Sequence, residues 1–332
     1  MLFKEGLFLI VFAGIINGCF AVPLRTIRGI SHEKIWTYFA IMSMLVLPWI
    51  LLVLLSPSAF YHYFNIPFTM WSILAIGGIA FGIGQLCQSY AINYIGISRV
   101  FATNLGIGMT TGSMFVVFYQ HVFFTAKGLL VSIVVVLVVL SLLLNYYSIH
   151  KPQQKAMHMV LKKKGWFLAV FAGIGSGLQN ISFVIVSFHE NALFAVGSSY
   201  WYWPPFLMIA GLIMLLGYWL RKRNAQVDGM QADNSHSLSI STNLIAVFAL
   251  LLLASLFYTG SLALYSISMS QFNPAQRVFG WPALLLSIIL SSQLWGVIYK
   301  EYHALSRKQR YGIYLGLALL IISILLLSSL ST

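Results

Sequence analysis

The sequence predicts an all-α integral membrane protein of ten transmembrane helices, arranged as two inverted five-helix repeats. Three observations carry this reading. Of the 332 residues, 60% are hydrophobic and 8% charged, whereas a soluble domain carries about 25% charged residues. A chain so poor in charge cannot cover a water-facing surface, so its solvent is lipid. Apolar runs near the ~20 residues needed to span a bilayer as a helix recur along the chain. They are unbroken, as in GLLVSIVVVLVVLSLLL at 128–144, unlike the weak alternation of an outer-membrane barrel. The third observation is that Lys and Arg fall almost entirely in alternate loops.

Apolar length and punctuation by Gly, Pro and polar residues place the spans in order. The first, 6–24, carries Asn17 and then Pro23, which predict a retained helix rather than a cleaved signal peptide. The second and third are 36–56 and 70–92, and the fourth, 99–119, opens at Arg99. After the fifth, 127–147, comes a polar, basic segment at 148–164. The sixth, 165–186, starts a second series. The seventh, 199–220, begins in the aromatic run SSYWYWPP and ends at Arg221-Lys222-Arg223. A polar loop, 221–242, precedes the eighth span, 243–266, and 276–299 and 311–329 complete the set. The expected units are therefore a first repeat at 1–147, a basic cytoplasmic linker at 148–164 and a second repeat at 165–332.

All 19 Lys and Arg residues except Lys4, Lys127 and Arg277 fall on the side of the odd-numbered loops. Cytoplasmic loops carry the positive excess, so both termini are expected on the outer side, the periplasm of a bacterial inner membrane. The same bookkeeping explains the net charge of +13 as topology, with no nucleic-acid partner. Five spans per half force the second half to run upside down relative to the first. FAGI at 12–15 recurs as FAGI at 171–174, at the same place in the first helix of each half. Arg99-Val100 and Arg277-Val278 likewise follow the third helix of each half. Inverted repeats of this kind form carriers with a site near the midplane.

No metalloprotease, phosphate-loop or nucleophile-elbow motif is present. None of the six acids, Glu5, Glu33, Glu190, Asp228, Asp233 and Glu301, lies near the middle of a span, so an enzyme is not expected. Cys19 and Cys87 fall inside spans and read as buried thiols, with no metal site and no cofactor implied. The polar groups suggest reversible binding instead. Asn and Gln exchange hydrogen bonds with hydroxyls, and aromatic rings cover the C–H faces of a sugar. Candidates for contact with such a solute are Asn17, Gln85, Gln88, Tyr90 and Asn104 in the first half. Gln179, Asn180, Trp203, Tyr258, Arg277 and Trp281 are the candidates in the second. For each amide, interhelical hydrogen bonding is an equal alternative. Tyr200, Trp201 and Tyr202 are expected in an interfacial aromatic belt, and Arg99 is expected to snorkel to the cytoplasmic surface. His189-Glu190 is the candidate proton-coupling pair, weighed against an ordinary exposed loop pair. The stretch 81–112 is expected as a tight helical hairpin lining the pathway, with a counterpart near 256–281.

Several motifs together resemble a known family. They are FAVPLRTIRG (20–29), Trp36, LPW (47–49), SPSAFYHYF (56–64) and the run from 78 to 113. They continue with His189-Glu190, NPAQ (273–276), Trp281 and YKEY (299–302). In their order and spacing the chain resembles the L-rhamnose–proton symporters of the drug/metabolite transporter superfamily. The resemblance implies a ten-helix inverted-repeat carrier in the lipid bilayer that imports a deoxy sugar with a proton by alternating access. It keeps a proton-handling role for His189-Glu190. The chain departs from the family pattern where Arg277-Val278-Phe279 replaces an aromatic–acid pair, and where GSS (197–199) lacks an acid. Export of a small metabolite or drug on the same fold, or a membrane sensor, are the alternative readings.

Overall fold

The computed structural model describes residues 2–149, 156–187, 199–227, 243–272, 276–300 and 306–329. These are all helical or in short connections, with no strand among the described residues. Ten helices are long and apolar enough to cross a membrane, as the sequence predicts. In chain order they are α1 (Glu5–Thr26), α2 (His32–Leu55), α3 (Phe68–Ile95), α4 (Ile97–Tyr119) and α5 (Ala126–Leu144). Then follow α6 (Lys163–Ser187), α7 (Tyr200–Arg221), α8 (Leu244–Gln271), α9 (Gly280–Ile298) and α10 (Arg307–Leu327). The α6 helix extends back to Ala156, so residues 156–164 of the expected linker are helical.

Two spans are irregular, each near a proline. The helix of α1 breaks between Gly18 and Ala21. Pro23 there supplies no N–H and its ring crowds the carbonyl of Cys19. Asn17, just before the break, and Phe20, within it, are both buried. In α2, residues Ile41–Val46 form a π-helical turn just before Pro48. Such a turn misaligns backbone carbonyls, which lipid cannot satisfy. The Thr259 hydroxyl of α8 donates to the Ser43 carbonyl at 2.8 Å, and Tyr200 of α7 donates to that of Pro48 at 3.3 Å.

The 81–112 stretch is a hairpin in connectivity, turning at Gly96 with φ 88°, a conformation glycine adopts at little cost. Its arms do not pack along one another, as a tight hairpin would require. Instead α6 lies between α3 and α4 and packs along both. Small residues permit this: a Cβ added at Gly84 would stand 3.3 Å from the Gly175 Cα, and one at Gly108 2.8 Å from the Ser176 Cβ. On the other side of the bundle α1 packs along α8 and α9, and Gly14 and Gly18 meet Ser287 and Ser291 of α9. Close backbone approach is how membrane helices gain van der Waals contact where lipid tails offer no hydrophobic drive. At one edge α5 and α10 pair, with the Ser141 hydroxyl donating to the Gly316 carbonyl at 3.0 Å.

The Tyr200–Trp203 run is not an interfacial belt. Tyr200, Tyr202 and Trp203 are 0% exposed and Trp201 3%. The run forms a short 3₁₀ turn leading into α7, held from several sides. Tyr63, in the α2–α3 connection, donates to the Trp201 carbonyl at 2.6 Å, and Tyr202 donates to Ser182 at 2.9 Å. Burial pushes the Tyr63 phenol well above its ordinary range, so it remains a neutral donor.

These crossings predict opposite outcomes for one type of substitution. Gly14→Ala and Gly108→Ala overpack their crossings, a cost of about 1–3 kcal/mol, and should lower the Tm of the purified protein. A Cβ at Gly260 of α8 meets nothing within 4 Å. Gly260→Ala should leave Tm unchanged or raise it, since glycine within a helix costs about 0.5–1 kcal/mol relative to alanine. Thermal melts in one detergent check the ordering.

Candidate functional site

The breaks and close crossings place polar side chains from six helices around one interior cavity. Asn17 of α1, Gln85 and Gln88 of α3, Asn104 of α4 and Gln179 of α6 line it, with Tyr258 of α8 and Trp281 of α9. All are at least nine-tenths buried. Phe20, Phe81, Phe101, Ser176 and several aliphatic side chains complete the wall, and among the described residues none that lines it is charged.

Gln88 Oε1 accepts from Asn104 Nδ2, a short contact between α3 and α4, and from Gln85 Nε2 at 3.4 Å. Asn17 Nδ2 donates to Ser261 Oγ of α8 at 2.6 Å, and that hydroxyl donates onward to the Tyr258 carbonyl at 2.7 Å. The Trp281 indole N–H points to the Gly108 carbonyl at 3.5 Å, the outer limit of such a bond. Interhelical bonding, the alternative weighed for these amides, therefore accounts for part of their capacity. It does not account for all: Gln85 Oε1 and Asn104 Oδ1 are buried without a hydrogen-bond partner. Leaving such an atom unpaired costs about 1–3 kcal/mol. Hydroxyl or water donors to these two carbonyls would recover that cost.

The remaining candidates lie elsewhere. Asn180 is fully buried one residue beyond Gln179, with both amide atoms unpartnered. It sits beside Trp281, for a Cβ added at Gly112 would lie 3.0 Å from both side chains. Trp203 is outside the cavity lining. Its indole donates to Ser266 of α8 at 2.7 Å, and its ring stacks on Phe183 at 5.2 Å. Arg277 lies in a 3₁₀ turn ahead of α9, where its Nε donates to the Phe272 carbonyl at 3.2 Å. Burial lowers its pKa, although a guanidinium stays protonated. The pair His189 and Glu190 lies outside the described residues.

Tyr90 belongs to a cluster on the face that carries the α1–α2 and α3–α4 connections, the basic face. Its hydroxyl donates to Glu33 of α2 at 3.2 Å, and Arg221 of α7 pairs with the same carboxylate at 3.2 Å. The Arg221 guanidinium also lies over the Tyr90 ring, 4.4 Å from its centroid. Nearby, His32 Nε2 is 3.0 Å from the Ser89 carbonyl, and Tyr218 donates to the Ser89 hydroxyl at 2.6 Å. The Glu33–Arg221 pair joins residues far apart in sequence, and no local pattern announces it. Ser176 and the three phenylalanines of the cavity also escaped sequence reasoning, because the chain is rich in both residue types.

The two faces differ. Toward the basic face, a vestibule of about 390 Å3 opens between the ends of α1 and α3 and the starts of α2 and α4. Phe20, Trp36, Phe39 and Phe101 separate it from the central cavity, with Phe20 5.3 Å from Phe39 and 5.5 Å from Phe101 between ring centroids. Toward the opposite face, Phe183, Tyr202, Trp203 and Tyr265 pack ring against ring. The central cavity itself measures about 40 Å3. That is room for one or two waters at ~30 Å3 each, so accepting a larger solute requires the helices to move apart.

Comparison with known proteins agrees with this architecture. The model of the L-rhamnose-proton symport protein family matches residues 3–330. The chain is 25% identical over 318 residues to an L-rhamnose-proton symporter of Citrobacter koseri, covering 92% of this chain and 91% of that protein. It is 26% identical over 322 residues to one of Salmonella gallinarum and 24% over 325 to one of Pectobacterium atrosepticum, with the same coverage. The chain is a multi-pass membrane protein that belongs to the L-rhamnose-proton symport protein family.

Proposed function

We propose that this protein imports L-rhamnose, or a closely related deoxy sugar, together with a proton, by alternating access. The observation that carries the reading is the uncharged, amide-lined and aromatic-walled cavity in a chain of this family. A neutral sugar presents hydroxyls to Gln85, Gln88, Asn104, Asn17 and Gln179, and C–H faces to Tyr258 and Trp281. A charged drug or metabolite would find no counter-charge on that wall. Asn180, beside Trp281, extends the same surface.

Two inverted halves, 1–147 and 165–332, joined through 148–164, fit the packing. The FAGI segments of α1 and α6 contain Gly14 and Gly173. Gly14 and Gly18 meet Ser287 and Ser291 on α9; Gly173 and Gly177 meet Ile107 and Thr111 on α4. The same four-residue step therefore recurs on both members of both crossings, as a twofold exchange of α1 with α6 and α4 with α9 requires. Under that exchange Phe101 pairs with Trp281, and both line the cavity. His32 at the start of α2 meets Ser89, and Trp203 at the start of α7 meets Ser266, at opposite ends of the bundle.

The positive-inside rule makes the basic face cytoplasmic, with both termini in the periplasm of the inner membrane. The vestibule is then the inward opening, and the rings around Trp203 form an aromatic layer on the outer side, with Arg277 near the outer mouth. His189 and Glu190 stay the candidates for proton coupling on the outer side.

Loss of one amide from the site should cost about 1–3 kcal/mol, a drop of about fivefold to 150-fold in uptake at low sugar concentration. Gln88→Ala and Asn104→Ala should each show this for labelled L-rhamnose in cells with matched membrane levels of carrier. Wild-type rates in both variants would remove these residues from the site. In vesicles, accumulation of the sugar should require an inward proton gradient and collapse with a protonophore, while exchange of internal for external sugar persists. Accumulation that survives the protonophore would exclude proton coupling.

A further inference from the structure

We infer that the cytoplasmic vestibule is a second binding station for the transported sugar, occupied between the central cavity and release. This rests on the transport reading above and names a site outside the cavity that reading uses. The vestibule's volume of about 390 Å3 lies within the ~300–1,000 Å3 range of small-molecule sites, whereas the central cavity at about 40 Å3 does not. Its lining combines what a deoxy sugar needs. Arg25, His32 and Asn93 supply donors and acceptors for hydroxyls, with Trp36 at its wall. Leu24 and Ile92 give an apolar surface for a methyl group.

Two further features make the vestibule a built space. Its walls are braced: His32 bonds to the Ser89 carbonyl of α3, and the adjacent Glu33 is held by Tyr90 and Arg221. Arg25 is steadied by its guanidinium lying 4.4 Å from the ring centroid of Tyr299, which follows α9. The vestibule also adjoins the central cavity through a single aromatic layer. Trp36 lines the vestibule, Phe20 lines the cavity, and their centroids are 6.4 Å apart, edge to face. A sugar leaving the amides passes that layer directly into the vestibule. With fewer amides and more exposure, the station is weaker than the central site, which favours unloading.

The test places a cysteine at exposed Asn93, in a chain with Cys19→Ser and Cys87→Ser, and measures its alkylation from the cytoplasmic side in inside-out vesicles. L-rhamnose should slow alkylation at least threefold, and sorbitol at equal concentration should not. The slowing should persist in the Gln88→Ala/Asn104→Ala background, where the central site is disabled. It should vanish with Leu24→Trp, whose larger ring obstructs the sugar's place in the vestibule. Absence of protection overturns the inference, and so does protection that disappears with the two central amides or survives Leu24→Trp. If the unmutated carrier neither transports nor binds L-rhamnose, the transport reading fails instead, and the two failures remain distinct.

Discussion

The architecture depends on how closely α6 approaches α3 and α4, and α1 approaches α9. These crossings are made by Gly84 against Gly175, Gly108 against Ser176, and Gly14 and Gly18 against Ser287 and Ser291. Larger side chains there would push the helices apart and separate the amides facing the interior. Gln88 and Asn104 could then no longer share a proton donor and acceptor across the α3–α4 gap, and the cavity would flood or collapse. The glycines thus set both the stability of the bundle and the width of its site.

The second constraint is hydrogen bonding without water. Departures from regular helix are answered by side chains from elsewhere in the chain. Thr259 and Tyr200 donate to carbonyls of the irregular α2, and Tyr63 donates to the turn that opens α7. These bonds join α2 and the connection after it to α7 and α8, so the irregular segments are tied to helices far away in sequence.

Much of this was legible in the sequence. Apolar length and Lys/Arg placement marked the ten spans to within a few residues, because a bilayer imposes one length on all of them. Polar residues in such spans are rare, so Asn17, Gln85, Gln88, Asn104 and Gln179 announced themselves, and they converge. The packing order was not legible. Helices apolar on every face carry no stripe to show which neighbour they meet, so the insertion of α6 between the arms of 81–112 left no trace. The burial of Tyr200–Trp203 was hidden for the opposite reason: the same aromatics suit a membrane interface and a protein interior. Pairings such as Glu33 with Arg221 depend on topology rather than on any local pattern.

The uncharged cavity wall has an electrical consequence. Moving one elementary charge across a membrane polarised by 100 mV is worth about 2.3 kcal/mol. In the proposed binding mode a neutral sugar among amides and rings presents no charge for that field to act upon, so its occupancy of the central cavity would be indifferent to voltage. In the proposed cycle the membrane potential can do work only on the proton, and the pH gradient adds to the energy that the proton carries for concentrating the sugar.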